Sequence, residues 1–154
     1  MKFEGAIKVA ASREAVFDKI NDPTFFASCI EGVQDMKEID PRHFTATLET
    51  RIAYIKFKFA VSVEIVEVDR PHRVVARAEG TPHGIVGRLS STSIATLTDD
   101  GAGTLVSYEI DAALTGKLGS LGQPVMKSKA KEMERQFAKA IAESFTGSAA
   151  EAAP

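Results

Sequence analysis

Residues 54–69, YIKFKFAVSVEIVEVD, alternate apolar and polar side chains almost without a break. Phe57, Phe59, Val61, Val63 and Ile65 fall on one face, with Lys56, Lys58, Ser62 and Glu64 on the other. That is the period of a β-strand and not of a helix. So long a strand leaves one apolar face that has to be covered. The same period continues on either side of it, in QDMKEID and HFTATLETRIA before and in RVVARAEG, IVGRLSSTSIATL and TLVSYEIDAAL after. The last two flank the hairpin signal DDGAG. With KFEGAIKV near the start, the pattern predicts six or seven strands. No helical pattern separates consecutive strands from Gly32 to Leu114, so sequential neighbours pair and the sheet is antiparallel.

Helical signals stand at either end. Ser12 before REAVFDKI, and Asp22 before Pro23 and TFFASCI, read as two short helices, each with an N-cap residue. From near Leu118 to about Phe145, Leu121, Val125, Met133, Phe137, Ile141 and Phe145 form one apolar stripe, interrupted by Lys129. Lys127, Lys131, Glu132, Glu134, Arg135 and Lys139 form the charged opposite face. The prediction is an α+β domain over residues 1–146, a curved antiparallel sheet wrapped around this C-terminal helix. At 154 residues the chain is large enough for one core. TGSAAEAAP has no periodicity, so residues 147–154 are expected to be a disordered tail.

The glycines of GKLGSLGQP, at 116–124, invite comparison with a phosphate-binding loop. Lys117 is followed by Leu118 and not by the hydroxyl that a Walker loop requires. An antiparallel sheet also lacks the crossover helix that would present a phosphate site. Gly116, Gly119 and Gly122 are read instead as the hinge, or gate, between the last strand and the helix.

Several classes of chemistry drop out. The net charge of −2, with bases scattered among acids, shows no block for nucleic acid or for attraction to anionic lipid. MKFEGAIKVAAS lacks the apolar core of a signal peptide, and no run reaches the length of a membrane span. Cys29 is the single cysteine; it excludes an internal disulfide and reads as a buried thiol in a cytoplasmic protein. His43, His72 and His83 have no metal-ligand spacing. Glu109 and Asp111 face away from Tyr108 and Ile110, so no acid–base set is legible. What remains is an apolar sheet face rich in small residues, Ala46, Ala76, Ala78, Ala95 and Ala112, with no tryptophan to fill it. A ligand pocket is expected there, lined by Phe57, Phe59, Leu89, Tyr108, Met126, Met133 and Phe137.

Strand, two short helices, curved sheet and long final helix is the order of the helix-grip fold of START-like domains. Within that group the chain resembles the family of small G-type accessory proteins of aerobic carbon monoxide dehydrogenase. The resemblance runs from FEGAIKVAASREAVFDKINDP to QFAKAI and is carried by NDP followed by FFASCIEG, and by TLVSYEIDAALTGKLGSLGQPVMKSKAKEM. Glu31 stands where the family usually has proline. The resemblance brings no catalytic motif. It implies an accessory protein that binds a quinone or lipid and links a molybdenum hydroxylase to the membrane. Longer relatives end in an apolar or amphipathic anchor, whereas SAAEAAP carries none. Membrane association, peripheral at the inner face, is therefore expected to be indirect or to need a C-terminal extension. Two rival readings follow: a polyketide cyclase or aromatase using Tyr108, Arg88 and His83, or a ligand-free assembly factor docking through Glu31 and the turn at 80–85.

Overall fold

Each alternating stretch is a strand in the computed structural model, which describes the backbone of residues 1–152 and the side chains of residues 1–145. The order is β1 (Lys2–Val9), α1 (Arg13–Ile20), α2 (Pro23–Ser28), β2 (Val33–Asp40), β3 (His43–Ile52), β4 (Ile55–Asp69), β5 (Arg73–Pro82), β6 (Gly87–Asp100) and β7 (Gly103–Gly116). A 3-10 turn (Lys117–Leu121) and α3 (Gln123–Ala152) complete it. The tail expected at 147–154 falls on residues whose side chains lie outside those described.

The caps work as their residue types require. Ser12 Oγ accepts from Ala15 N–H at 3.3 Å, and Asp22 Oδ1 accepts from Thr24 and Phe25 N–H at 3.0 and 3.4 Å. Pro23 opens α2, where its missing donor costs nothing. The helical pattern that begins at Leu118 does not run straight into α3. Gly122, at φ 87 and ψ 155, breaks it and leaves a separate 3-10 turn.

All pairings are antiparallel, in the order β1-β7-β6-β5-β4-β3-β2. β1 therefore closes on the last strand and β2 lies at the far edge. The α1–α2 pair must carry the chain across the full width between them, which lays it over one end of the sheet. Bulges in β2 and in β4, between Ile65 and Glu67, bend the sheet. α3 packs across the inner face and divides the core in two. Towards its C-terminal half, Ile141 meets Val16, Phe17 and Ile20 of α1 and Ile7, Leu97 and Val106 of the sheet. Near its start, Val125 and Met126 meet Ile52, Phe57, Phe59 and Leu118. Phe17, Leu97, Leu118 and Ile141 are fully buried, each contributing roughly 1.5–3 kcal/mol.

Candidate functional site

Between the two clusters the inner face carries small residues. The register pairs Val61 with Ala46 and Gly80, Val63 with Ala78, and Ile65 with Ala76. It continues through Ala78 with Ser91, Ala76 with Ser93, and Ser91 with Ala112. Directly paired residues point to the same side of a sheet, so all of these share the face of Phe57 and Phe59. Ala46, Ala76, Ala78, Ser91, Ser93 and Ala95 remain half-buried and belong to neither cluster. This stretch of the inner face is only half covered.

Polar groups gather at one side of this stretch. Tyr108 pairs in register with Gly5. The absence of a side chain at Gly5 lets the Tyr108 ring lie over the β1 backbone, where a Cβ would collide with the phenol oxygen and stand 2.7 Å from Glu134 Oε1. The phenol is hydrogen-bonded to Glu134 of α3. Burial, and then the Glu134 charge and that hydrogen bond, push its pKa up to about 12. Glu134 also receives Lys131 Nζ at 3.3 Å. A cavity of about 330 Å³ opens here, lined by Lys2, Phe3, Glu4, Tyr108, Lys127, Ala130 and Lys131. A larger hollow of about 580 Å³ lies on the other face of the sheet, among Thr45, Thr47, Ser62, Glu79 and Thr81.

The seven expected lining residues are distributed, not assembled. Phe57 and Phe59 are 4% and 3% exposed and stack with centroids 5.7 Å apart. With Leu89 and Met126 beside them, they belong to the cluster near the start of α3. Phe137 belongs to the other cluster, its ring 5.2 Å from that of Phe26. Met133 is half-buried on the stretch of α3 between. Tyr108 alone among the seven lines the 330 Å³ cavity. Sequence reasoning missed Gly5 and placed Glu134 on the wet face, although its side chain is only 17% exposed. No local signal marks this polar side, because Gly5 and Glu134 lie far apart along the chain.

Other candidates resolve plainly. Gly116 and Gly122 have φ of 63° and 87°, whereas Gly119 is absent from the positive-φ residues. Arg88 faces the outer side in a 3.1 Å pair with Glu79, and His83 is exposed in the β5–β6 loop. The three residues a cyclase would use are thus not gathered in one site. Cys29 is buried, and burial raises its thiol pKa, which makes it a poor nucleophile. Among the described residues no group of three or more His, Cys, Asp or Glu is placed to hold a metal ion. None of their helices is long and apolar enough to cross a membrane.

The architecture is that of a START-like helix-grip protein, and solved structures bear this out. A conserved protein from Geobacillus kaustophilus superposes with a TM-score of 0.88 at 24% identity, over 96% of this chain and 97% of that one. A START superfamily protein from Mycobacterium smegmatis gives 0.66 at 14% identity, over 91% and 93%. Protein Ms6760 from Mycobacterium smegmatis gives 0.69 at 19%, over 96% and 92%. No curated protein matches the sequence. Residues 5–146 match the model of the carbon monoxide dehydrogenase CoxG family, and the chain belongs to that family. The family points to an accessory role, and the solved structures share the fold.

Proposed function

We propose that this chain is a non-catalytic accessory of a carbon monoxide dehydrogenase-type molybdenum hydroxylase. It holds an apolar small molecule, a quinone or a lipid, between the sheet and α3, and so links the enzyme to the membrane. The observation that carries this reading is the half-buried floor of Ala46, Ala76, Ala78, Ser91, Ser93 and Ala95 lying between two apolar plugs. A flat or chain-like apolar body fits such a floor. Removing it from water yields about 25 cal/mol per Å², and a few polar groups, here Tyr108, Ser91 and Ser93, suffice to orient it. Purified protein should carry, or take up from added quinone, a ligand seen as a mass increment by native mass spectrometry and recovered by organic extraction. Ala78→Leu, which adds bulk to the floor, should reduce that occupancy. A protein that neither carries nor takes up apolar molecules would overturn the proposal.

A further inference from the structure

Three connections meet at the end of the molecule closed by Phe57 and Phe59. The β3–β4 turn holds Ala53 and Tyr54, both at positive φ. The β5–β6 loop is tied to β4 by His83 N–H donating to Lys58 O at 2.8 Å. It is tied to the 3-10 turn by Lys117 N–H donating to Val86 O at 2.9 Å. Leu118 and Ile85 pack into the same cluster as Ile52, so the three connections share one base. At their tips Tyr54 is 97% exposed, Val86 78% and Ile55 47%. Packing gives no reason for apolar residues there.

The charge of this end differs from that of the chain. Segments 50–58, 81–88 and 115–127 contain Arg51, Lys56, Lys58, Arg88, Lys117 and Lys127 and no acid, although the whole chain has 21 acids against 19 bases. All six bases are exposed. At the margin Glu49 lies 3.9 Å from both Lys56 and Lys58, and Glu79 lies 3.1 Å from Arg88. Arg51, Lys117 and Lys127 have no ion-pair partner among the described residues. The β3–β4 and β5–β6 connections and the 3-10 turn bring Arg51, Lys56, Lys58, Arg88 and Lys117 to one end of the molecule, whereas Lys127 stands in the first turns of α3 beside Lys2 and Glu4.

We propose that this end of the molecule docks on an anionic lipid surface. Tyr54, Ile55 and Val86 enter the headgroup boundary, and the surrounding lysines and arginines meet the lipid phosphates. Tyr54 and Ile55 stand at the β3–β4 turn and Val86 on the β5–β6 loop, with bases in the same connections. A fluid interface closes around such wedges, whereas a rigid protein face would have to be shaped to them. Tyrosine with flanking lysine is also the pairing suited to a membrane boundary, because ring and stem are apolar and their ends are polar. Docking here would turn the Phe57–Phe59 end of the groove towards the bilayer. The inference rests on the carrier reading for its purpose, and on the loop tips themselves for its binding.

The chain has no tryptophan, so Tyr54→Trp gives a single reporter. Its emission should shift to the blue, and the protein should sediment, with phosphatidylglycerol vesicles but not with phosphatidylcholine vesicles, and added salt should reverse both. Tyr54→Asn with Val86→Ser keeps a residue that accepts φ 69° at the turn and should abolish insertion. Lys56→Gln with Lys117→Gln should weaken partitioning about fivefold per lysine. Circular dichroism of both pairs should match that of the parent. Failure to bind anionic vesicles at low salt would overturn the proposal, as would binding that survives both pairs of substitutions. An emission shift that tracks protein concentration without lipid would assign the surface to self-association instead. Ligand content is measured in the same variants. Lost vesicle binding with a filled groove confirms the docking residues, whereas an empty parent groove with intact vesicle binding fails the carrier reading and upholds the docking surface.

Discussion

The phenol of Tyr108 is bonded to the carboxylate of Glu134 across the bare backbone of Gly5, its partner in the β1–β7 register. This contact joins the sheet edge to α3 beside the candidate groove. It exists because one position in β1 has no side chain.

Gly5→Ala should therefore separate the two groups. The added methyl meets Tyr108 Cζ at 2.6 Å and Glu134 Oε1 at 2.7 Å, so ring and carboxylate must both move. A stability loss of about 1–3 kcal/mol is expected from overpacking, read by chemical denaturation. Tyr108→Ala in the same background should recover part of it, and no recovery would place the strain elsewhere.

Tyr108 should ionise late. In a Tyr54→Phe background, which leaves one tyrosine, tyrosinate absorbance should appear near pH 12 and move down in Glu134→Gln. The folded value lies above the ordinary 10.0. The contribution to stability is therefore complete below about pH 10 and lost as pH rises through about 12. An ordinary titration in the folded protein would contradict the buried Tyr108–Glu134 contact.

His43 is held between Asp40 and Glu64, with Nδ1 2.8 Å from Asp40 Oδ1 and Nε2 3.4 Å from Glu64 Oε2. The Asp40 hydrogen bond is the main cause that raises its pKa above 6.5, and the same bond lowers Asp40 below 3.8. The stabilisation from His43 is present below pH 6.5 and fades as pH rises through the raised value. That from Asp40 is present above pH 3.8 and fades as pH falls through the lowered one. Proton NMR of the imidazole should show a raised midpoint that drops in Asp40→Asn.

The three glycines after β7 should respond unequally to alanine. Gly116 at φ 63° and ψ −143° occupies a region closed to other residues, and a Cβ there would strike the Val86 backbone. Gly122 is strained by its φ of 87° but has open space, with Pro124 Cδ 3.9 Å away. Gly119 meets only Leu114 O, at 3.3 Å. Thermal denaturation should rank the losses Gly116→Ala, then Gly122→Ala, then Gly119→Ala. The first should exceed about 2 kcal/mol, because strained φ/ψ and backbone collision add.

Glu31 exchanges hydrogen bonds with Gln136 of α3. Its N–H donates to Gln136 Oε1 at 3.3 Å, and Gln136 Nε2 donates to Glu31 Oε2 at 3.4 Å. Glu31→Pro removes the first donor and should cost about 0.5–1.5 kcal/mol. The loss should shrink in a Gln136→Ala background if the pair is the cause.

The strands were legible because a half-buried sheet imposes period two on its sequence, and β4 shows it over fifteen residues. Both short helices were legible from Ser12 and Asp22, whose side chains do what such residues do at a helix start. The candidate site was legible only in its floor. Alternation put the alanines on the inner face, but it could not tell that Phe57 and Phe137 lie in different clusters at opposite ends of α3. It also could not turn Glu134 inward, because that depends on an opening left by Gly5, more than a hundred residues earlier.

The sequence by itself determined the secondary structure, the antiparallel pairing and the side of the sheet that is covered, since each follows from local periodicity, caps and turns. Only the tertiary structure decided that β1 closes on β7, that Phe57 and Phe137 fall in separate clusters, and that bases from three connections stand at the same end as Tyr54, Ile55 and Val86. Those outcomes depend on which distant segments the hairpins bring side by side. A charge pattern read along the chain therefore does not show which bases become neighbours.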